Sequence, residues 1–172
     1  VASLSSAATA ALTTSQVQAL TTAQVQGLTT TQLNSLTTAQ VASMQTADVA
    51  ALSVTQVAGL STANVAALSS TQAQALSSAQ VASLTTTQIG ALETADLSAM
   101  SSAQLAGLSV TQIGKLSTAQ VAALTTGQVA GLSATQVASL SSAATAALTT
   151  SQVQALTTAQ VQSLSVTQLN SL

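Results

Sequence analysis

Apolar residues recur along this chain with a strict period of eight. Counting from Leu4, a Leu begins every octad except the two that begin with Met44 and Met100, and Val, Leu or Ile stands at the sixth position of nearly all of them. Twenty-one full octads follow one another from Leu4 without an insertion or a deletion. The pattern predicts a repeat array in place of an ordinary domain.

The polar positions between these apolar residues predict a helix start in every octad. Ser or Thr at position 2 and Gln at position 5 have the spacing of a capping box, in which the N-cap and N3 side chains each accept a backbone N–H bond. Leu20 and Val25 flank Thr21 and Gln24 as the N′ and N4 residues of a hydrophobic staple. The same assignment predicts the structural caps Thr21, Gln24, Thr37, Gln40, Thr125 and Gln128, and the core residues Leu20, Val25, Leu36, Val41, Leu124 and Val129.

Each octad is therefore interpreted as one helix of about six residues that stops where the next N-cap leaves helical geometry. Helices of this length are not stable alone, so their Leu and Val must be buried against neighbouring octads. The predicted fold is an all-α solenoid of short capped helices, one per octad. The spacing leaves the number of octads per superhelical turn open, and we favour three over two. Glycines such as Gly27 and Gly131 are predicted at helix ends.

Three other architectures fit the period less well. A continuous helix would place successive Leu residues about 80° apart and would form no fixed apolar face. A β-solenoid is the main alternative, but Leu and Val of one octad would point to opposite sides of a strand, and corner residues are scarce. Cross-β fibrils would gain from Gln ladders, whereas the capping boxes argue against them.

A second period lies above the first. Residues 1–26 recur letter for letter at 137–162, an offset of 136 residues or 17 octads. We interpret residues 1–172 as one array produced by tandem duplication. Because the chain begins with Val1 and shows no signal-peptide pattern, we expect it to be part of a longer protein.

The amino-acid composition argues against several classes of function. The chain contains no Phe, Tyr, Trp, Pro, Cys or His, and its formal net charge is −2. A nucleic-acid partner is not expected, because clustered Lys and Arg are missing. No apolar run approaches the roughly 20 residues that cross a bilayer, so a transmembrane segment is not expected either.

Candidate chemistry is confined to a few charged residues. Without His, Cys, Tyr or Arg we expect neither an enzyme nor a bound cofactor. Glu93 and Asp96 could hold a hard cation, but they stand at cap and N3 positions, where carboxylates favour the positive end of a helix, and Asp48 is interpreted in the same way. No metal site is therefore predicted. The remaining exceptions are interpreted as a solvated side chain, Lys115, and as core residues, Met44 and Met100.

Two functions make use of the repeated surface itself. The first is a structural rod that forms an extracellular filament or the stalk of a large bacterial adhesin. Uncharged composition, a single trypsin-type site at Lys115 and tandem duplication all suit it. The second is binding of ice or another solid surface by regular rows of Thr and Ser at positions 2 and 3. Free exchange of Thr for Ser and the use of the position 2 hydroxyl in capping weaken this alternative.

The stretch LSTAQVAALTTGQVAGLSATQVASL, residues 116–140, resembles the octapeptide arrays of very large bacterial surface proteins labelled as haem-utilisation or adhesion proteins. The resemblance extends over the whole chain. It implies a structural role at the bacterial cell surface or outside the cell, with self-association into filaments or bundles and contact with a cell or solid surface. The haem label gains no support, because no His or Cys is present to ligate iron.

Overall fold

A computed structural model describes residues 3–172, and within that range it contains 21 short helices, one per octad, and no strand. The all-α solenoid is confirmed, and the β-solenoid alternative is wrong. In chain order the helices are α1 Ser6–Ala10, α2 Thr14–Gln18, α3 Thr22–Gln26, α4 Thr30–Ser35, α5 Thr38–Ser43, α6 Thr46–Ala50, α7 Val54–Ala58, α8 Thr62–Ala66, α9 Ser70–Ala75, α10 Ser78–Ala82, α11 Thr86–Ala91, α12 Thr94–Ala99, α13 Ser102–Ala106, α14 Val110–Ile113, α15 Thr118–Ala123, α16 Thr126–Gly131, α17 Ala134–Ala138, α18 Ser142–Ala146, α19 Thr150–Gln154, α20 Thr158–Ser163 and α21 Val166–Leu169.

The octad α16 shows why each helix is so short. Its N-cap, Thr125, is extended at φ −73° and ψ 158°, and its C-cap, Leu132, is extended again at φ −69° and ψ 147°. Leu132 is followed at once by the N-cap of the next helix, Ser133. Two extended residues therefore separate these helices, and the six that remain of the octad form fewer than two turns of helix.

Helices stack on the helix three places away in the chain. The packed pairs include α1 with α4, α2 with α5, α9 with α12 and α17 with α20. Each superhelical turn, here called a coil, therefore holds three octads, as we favoured, and the array has three sides. The first side contains α1, α4 and every third helix after them, the second side begins with α2, and the third side begins with α3. The 21 helices make seven coils.

Leu at position 1 and Val, Leu or Ile at position 6 fill the space between the three sides. They form one continuous hydrophobic core that contains buried residues from Val17 to Leu164 and includes Met44 and Met100. Among the predicted core residues, Val25, Leu36, Val41, Leu124 and Val129 are buried, and Leu20 is half-buried against the same core.

Some of the glycines make room between coils. None of the residues that the structure describes has a positive φ, so no glycine here uses the left-handed conformation. At Gly59 a Cβ atom would lie only 2.7 Å from Cγ2 of Thr30 in the preceding coil. Gly59 therefore lets α7 approach α4 closely.

Candidate functional site

The capping boxes form at every octad that has Gln at position 5. The Thr21 N–H donates to Oε1 of Gln24 at 2.8 Å, and the Gln24 N–H donates to Oγ1 of Thr21 at 3.3 Å. At Thr125 and Gln128 the two distances are 2.7 Å and 3.1 Å. The box formed by Thr37 and Gln40 has distances of 2.6 Å and 3.2 Å.

From Gln32 onward, the amide nitrogen of these glutamines also bonds to the preceding coil. Nε2 of Gln128 donates to the backbone carbonyl oxygens of Leu97 and Met100, both at 2.7 Å, and lies 3.2 Å from that of Ser98. These carbonyls belong to the end of α12 and to the Leu or Met that follows it. We call this set of contacts the glutamine seam. It contains Gln32, Gln40, Gln56, Gln72, Gln80, Gln88, Gln104, Gln112, Gln120, Gln128, Gln136, Gln152, Gln160 and Gln168.

In the glutamine seam, one side chain satisfies the start of its own helix and the end of a helix in the preceding coil. The last carbonyls of an α-helix have no partner inside the helix, and burying them without a partner costs about 1–3 kcal/mol each. A primary amide has one acceptor oxygen and two N–H donors. Gln128 uses the oxygen for the start of its own helix and the nitrogen for the end of α12, so it closes the backbone hydrogen bonding across the coil boundary.

Sequence reasoning missed this second bond, because it did not establish which octads lie above one another. It assigned position 5 only to the cap, although Gln40 and Gln128 are buried. The sequence does contain a signal. Glu can take the N3 place of a capping box as well as Gln, yet Gln stands at position 5 in 16 octads and Glu in none. A carboxylate can accept the cap bond but has no proton to donate to the preceding coil.

Asn64 shows what happens when the amide is one methylene shorter. Its Nδ2 still donates to the Leu33 carbonyl oxygen at 2.9 Å, but its oxygen makes no bond to the N-cap Ser61. Oδ1 of Asn34, from the preceding coil, accepts from the Ser61 N–H at 2.7 Å instead. Asn64 thus makes the bond to the preceding coil and Asn34 accepts the N-cap N–H, two bonds that a single glutamine makes in other octads.

Asp48 replaces the glutamine in α6, and Gln45 at the N-cap compensates in part. Gln45 makes no cap bond, and its Nε2 donates to the Gln18 carbonyl oxygen at 2.7 Å. This carbonyl is one of those that a position 5 amide would reach. Oδ1 of Asp48 accepts from the Thr22 hydroxyl at 2.8 Å, whereas Oδ2 is buried without a hydrogen-bond partner.

Asp96 replaces the glutamine in α12 without such compensation. Its N-cap, Glu93, is exposed and makes no side-chain cap bond. Oδ1 of Asp96 accepts from the Ser70 hydroxyl at 2.9 Å, and Oδ2 is buried without a partner. Burial raises the pKa of Asp96 above its ordinary value, with the bond from Ser70 acting in the opposite direction. The two carboxylates do stand at the cap and N3 positions, but they do not form a capping box.

Other candidate chemistry does not converge on one place. Between residues 3 and 172 no three acidic, His or Cys side chains are grouped in a way that could hold a metal ion. Lys115 is exposed beside the end of α14. Among the described helices, none has the length and apolar character needed to span a bilayer.

The octad sequence also identifies the family to which the chain belongs. Residues 19–24 read Ala-Leu-Thr-Thr-Ala-Gln, from the residue after α2 to the N3 glutamine of α3. The family described as the ALTTAQ repeat matches residues 17–46, 41–78, 89–126 and 126–158. The chain belongs to this family.

The ALTTAQ match confirms the repeat array. No curated protein and no solved structure matches the chain. The expected likeness to bacterial adhesion proteins stays a prediction. In structural terms the ALTTAQ hexapeptide contains the core Leu, the N-cap Thr, the first two helical residues and the N3 Gln of the capping box. In its second copy, residues 155–160, this Gln is Gln160, which also bonds to the preceding coil.

Proposed function

We propose that the chain is a structural repeat rod, part of an extracellular filament or of the stalk of a large bacterial adhesin, and that it has no catalytic role. The observation that supports this most is the glutamine seam. It repeats the same hydrogen bonds at nearly every coil boundary from Gln32 to Gln168. An array joined in this way distributes its stability over many equal interfaces, which is what a load-bearing rod requires.

The surface also favours a structural role. Charged side chains are limited to Asp48, Glu93, Asp96 and Lys115, so Ser, Thr and Gln supply the polar surface. Lys115 is the single Lys or Arg residue of the sequence, so trypsin-type proteases have one site, which is an advantage outside the cell. Such a surface also has little electrostatic repulsion to prevent side-by-side association.

Solution scattering and sedimentation test the proposal together. Seven coils with the usual helix spacing of about 8–10 Å would give a rod about 60–70 Å long and a radius of gyration of about 20 Å. A compact domain of this length would have a radius of gyration of about 16 Å. We expect the larger value, and growth of the sedimenting species with protein concentration. A compact particle that stays monomeric at all concentrations would contradict the rod and the filament.

Ice binding remains the second candidate, because the hydroxyls at positions 2 and 3 are regularly spaced and partly exposed. None of the three sides carries an unbroken Thr row, however. Val54 interrupts the first side, Val110 the second, and Gln45 and Glu93 the third. Thermal hysteresis of a concentrated solution is the decisive measurement, and we expect none.

A further inference from the structure

At the boundary between α8 and α12 the position 5 side chain, Asp96, brings no permanent donor, as is also true of Asp48 and Ala144 at theirs. Here, however, the position holds a carboxyl group, and no amide at the N-cap stands beside it. By register, an amide at position 96 would donate to the carbonyl oxygens of Val65, Ala66 and Leu68, as Gln128 does to those of Leu97, Ser98 and Met100. In this octad the N-cap residue Glu93 and the position 5 residue Asp96 both have carboxyl side chains, so neither brings an amide donor. Gln45, which donates to the preceding coil in the α6 octad, has Glu93 as its counterpart here.

Asn64 indicates where the second oxygen atom of Asp96 points. Asn and Asp have the same length, and Nδ2 of Asn64 donates to the carbonyl oxygen 31 residues earlier, at 2.9 Å. The same register places the Val65 carbonyl oxygen opposite Asp96. Since Oδ1 of Asp96 is held by the Ser70 hydroxyl, Oδ2 is the atom that takes the place of the amide nitrogen.

An ionised Oδ2 would be unfavourable in this position. It is buried and has no partner, and Asp96 as a whole is 2% exposed. A buried charge without a donor or a counter-ion is costly, and it would also face carbonyl oxygens at the negative end of a helix. Helices α9 and α15, which pack against α12, contain no titratable residue, so Glu93 is the one charged group nearby and has the same sign.

We propose that Asp96 acts in the folded chain as a carboxylic acid, whose Oδ2–H donates to a backbone carbonyl oxygen at the end of α8 in place of the glutamine amide. The boundary at Asp96 is then a proton-dependent joint in a rod whose glutamine seam uses permanent amide donors. A proton fits better than a hydrated cation or a water molecule, because Oδ2 has no solvent-accessible surface that either could reach.

The direction of the pH effect follows from the raised pKa of Asp96. A folded state that holds the proton more tightly than the unfolded chain is favoured at low pH. The contribution of this joint is complete below the ordinary pKa of aspartate and is lost as pH rises through the higher pKa of the folded state. The α8–α12 boundary should therefore weaken as the solution becomes less acidic.

Carbon NMR measures the proton directly. The chain contains two aspartates, so selective labelling at Cγ gives two carboxyl signals, and Asp48→Asn leaves that of Asp96 alone. We expect its titration midpoint to lie above the ordinary value of 3.8. A midpoint at or below 3.8 would overturn the proposal. This measurement needs no variant at position 96.

Thermal unfolding followed by circular dichroism supplies the second test. Asp96→Asn provides a permanent donor, and Asn64 shows that this side chain fits position 5. We expect the wild type to lose midpoint temperature between pH 4 and pH 8 relative to Asp96→Asn, while Glu93→Gln retains most of the wild-type pH dependence. Parallel curves for wild type and Asp96→Asn would contradict the proposal. A gain in wild-type midpoint on addition of calcium, absent in Asp96→Asn, would replace the proton by a cation.

Discussion

The first and last coils of the array expose opposite halves of the same interface. In the first coil, the position 5 residues Gln16 and Gln24 are exposed, whereas Val17 and Val25 at position 6 are fully buried. In the last coil the arrangement is reversed. Gln152, Gln160 and Gln168 are buried, whereas Val161 is 39% and Leu169 is 43% exposed.

The difference shows that every coil has two unlike faces. Position 5, with the Leu of position 1, faces the preceding coil, and position 6 faces the following one. Leu4 agrees with this direction, because it lies in the first coil and is 36% exposed, whereas Leu164 in the last coil is buried. The stacking is therefore directional, with a polar donor row and Leu on one face and carbonyl oxygens and Val on the other.

Among the substitutions considered, glutamine to glutamate at position 5 should give the largest difference in free energy of unfolding between the first coil and a later one. In Gln128→Glu the capping bond is retained but the donor to Leu97 and Met100 is lost, and a buried carboxylate faces their oxygens. We expect a loss of about 3 kcal/mol at neutral pH. The matched variant Gln24→Glu lies in the first coil, where Gln24 is exposed, and should change stability by less than about 0.5 kcal/mol.

Urea unfolding at pH 7 gives the comparison, with hydrogen exchange to locate the loss, since long repeat arrays need not unfold in one step. Equal effects of the two substitutions would mean that glutamine serves only as a cap and that the seam adds nothing.

Truncating a position 6 valine should destabilise the array more in the first coil than in the last. Val25 lies in the first coil and is fully buried, so Val25→Ala should cost about 2 kcal/mol. Val161 lies in the last coil and is partly exposed, so Val161→Ala should cost less than about 0.5 kcal/mol. The same urea series measures both. A larger loss at Val161 would contradict the direction assigned to position 6.

Adding a methyl group at two glycines should give small effects of opposite sign. Gly59→Ala forces a Cβ atom against Thr30 and should destabilise the stack by about 1 kcal/mol. In Gly127→Ala the nearest atom is Oγ1 of Thr125, 4.0 Å away, and alanine favours the first turn of α16, so a gain of about 0.5 kcal/mol is expected. Midpoints of thermal unfolding check both, and destabilisation by both would show that the outer surface of α16 is also tightly packed.

Local sequence was enough to predict the helices and the core. Ser or Thr, Gln, Leu and Val mark the N-cap, N3, N′ and N4 positions within a single octad, so Thr21, Gln24 and Val25 can be assigned without knowing any tertiary contact. The seam could not be derived in this way. Nε2 of Gln128 meets residues 28 to 31 positions earlier, and that relation depends on three octads making one coil. The same holds for the bond between Asp96 and Ser70.

The large sequence period has a consequence for how such a chain can change length. An offset of 17 octads is not a multiple of three, so the identical segments at 1–26 and 137–162 begin on different sides of the stack, with α1 on the first and α18 on the third. The same octads fold in both places because the capping box is local to the octad, as it is for Thr21 with Gln24 and for Thr157 with Gln160. Insertion or deletion of a whole number of octads would therefore leave the start of every remaining helix intact, so the length of the array can change in steps of eight residues.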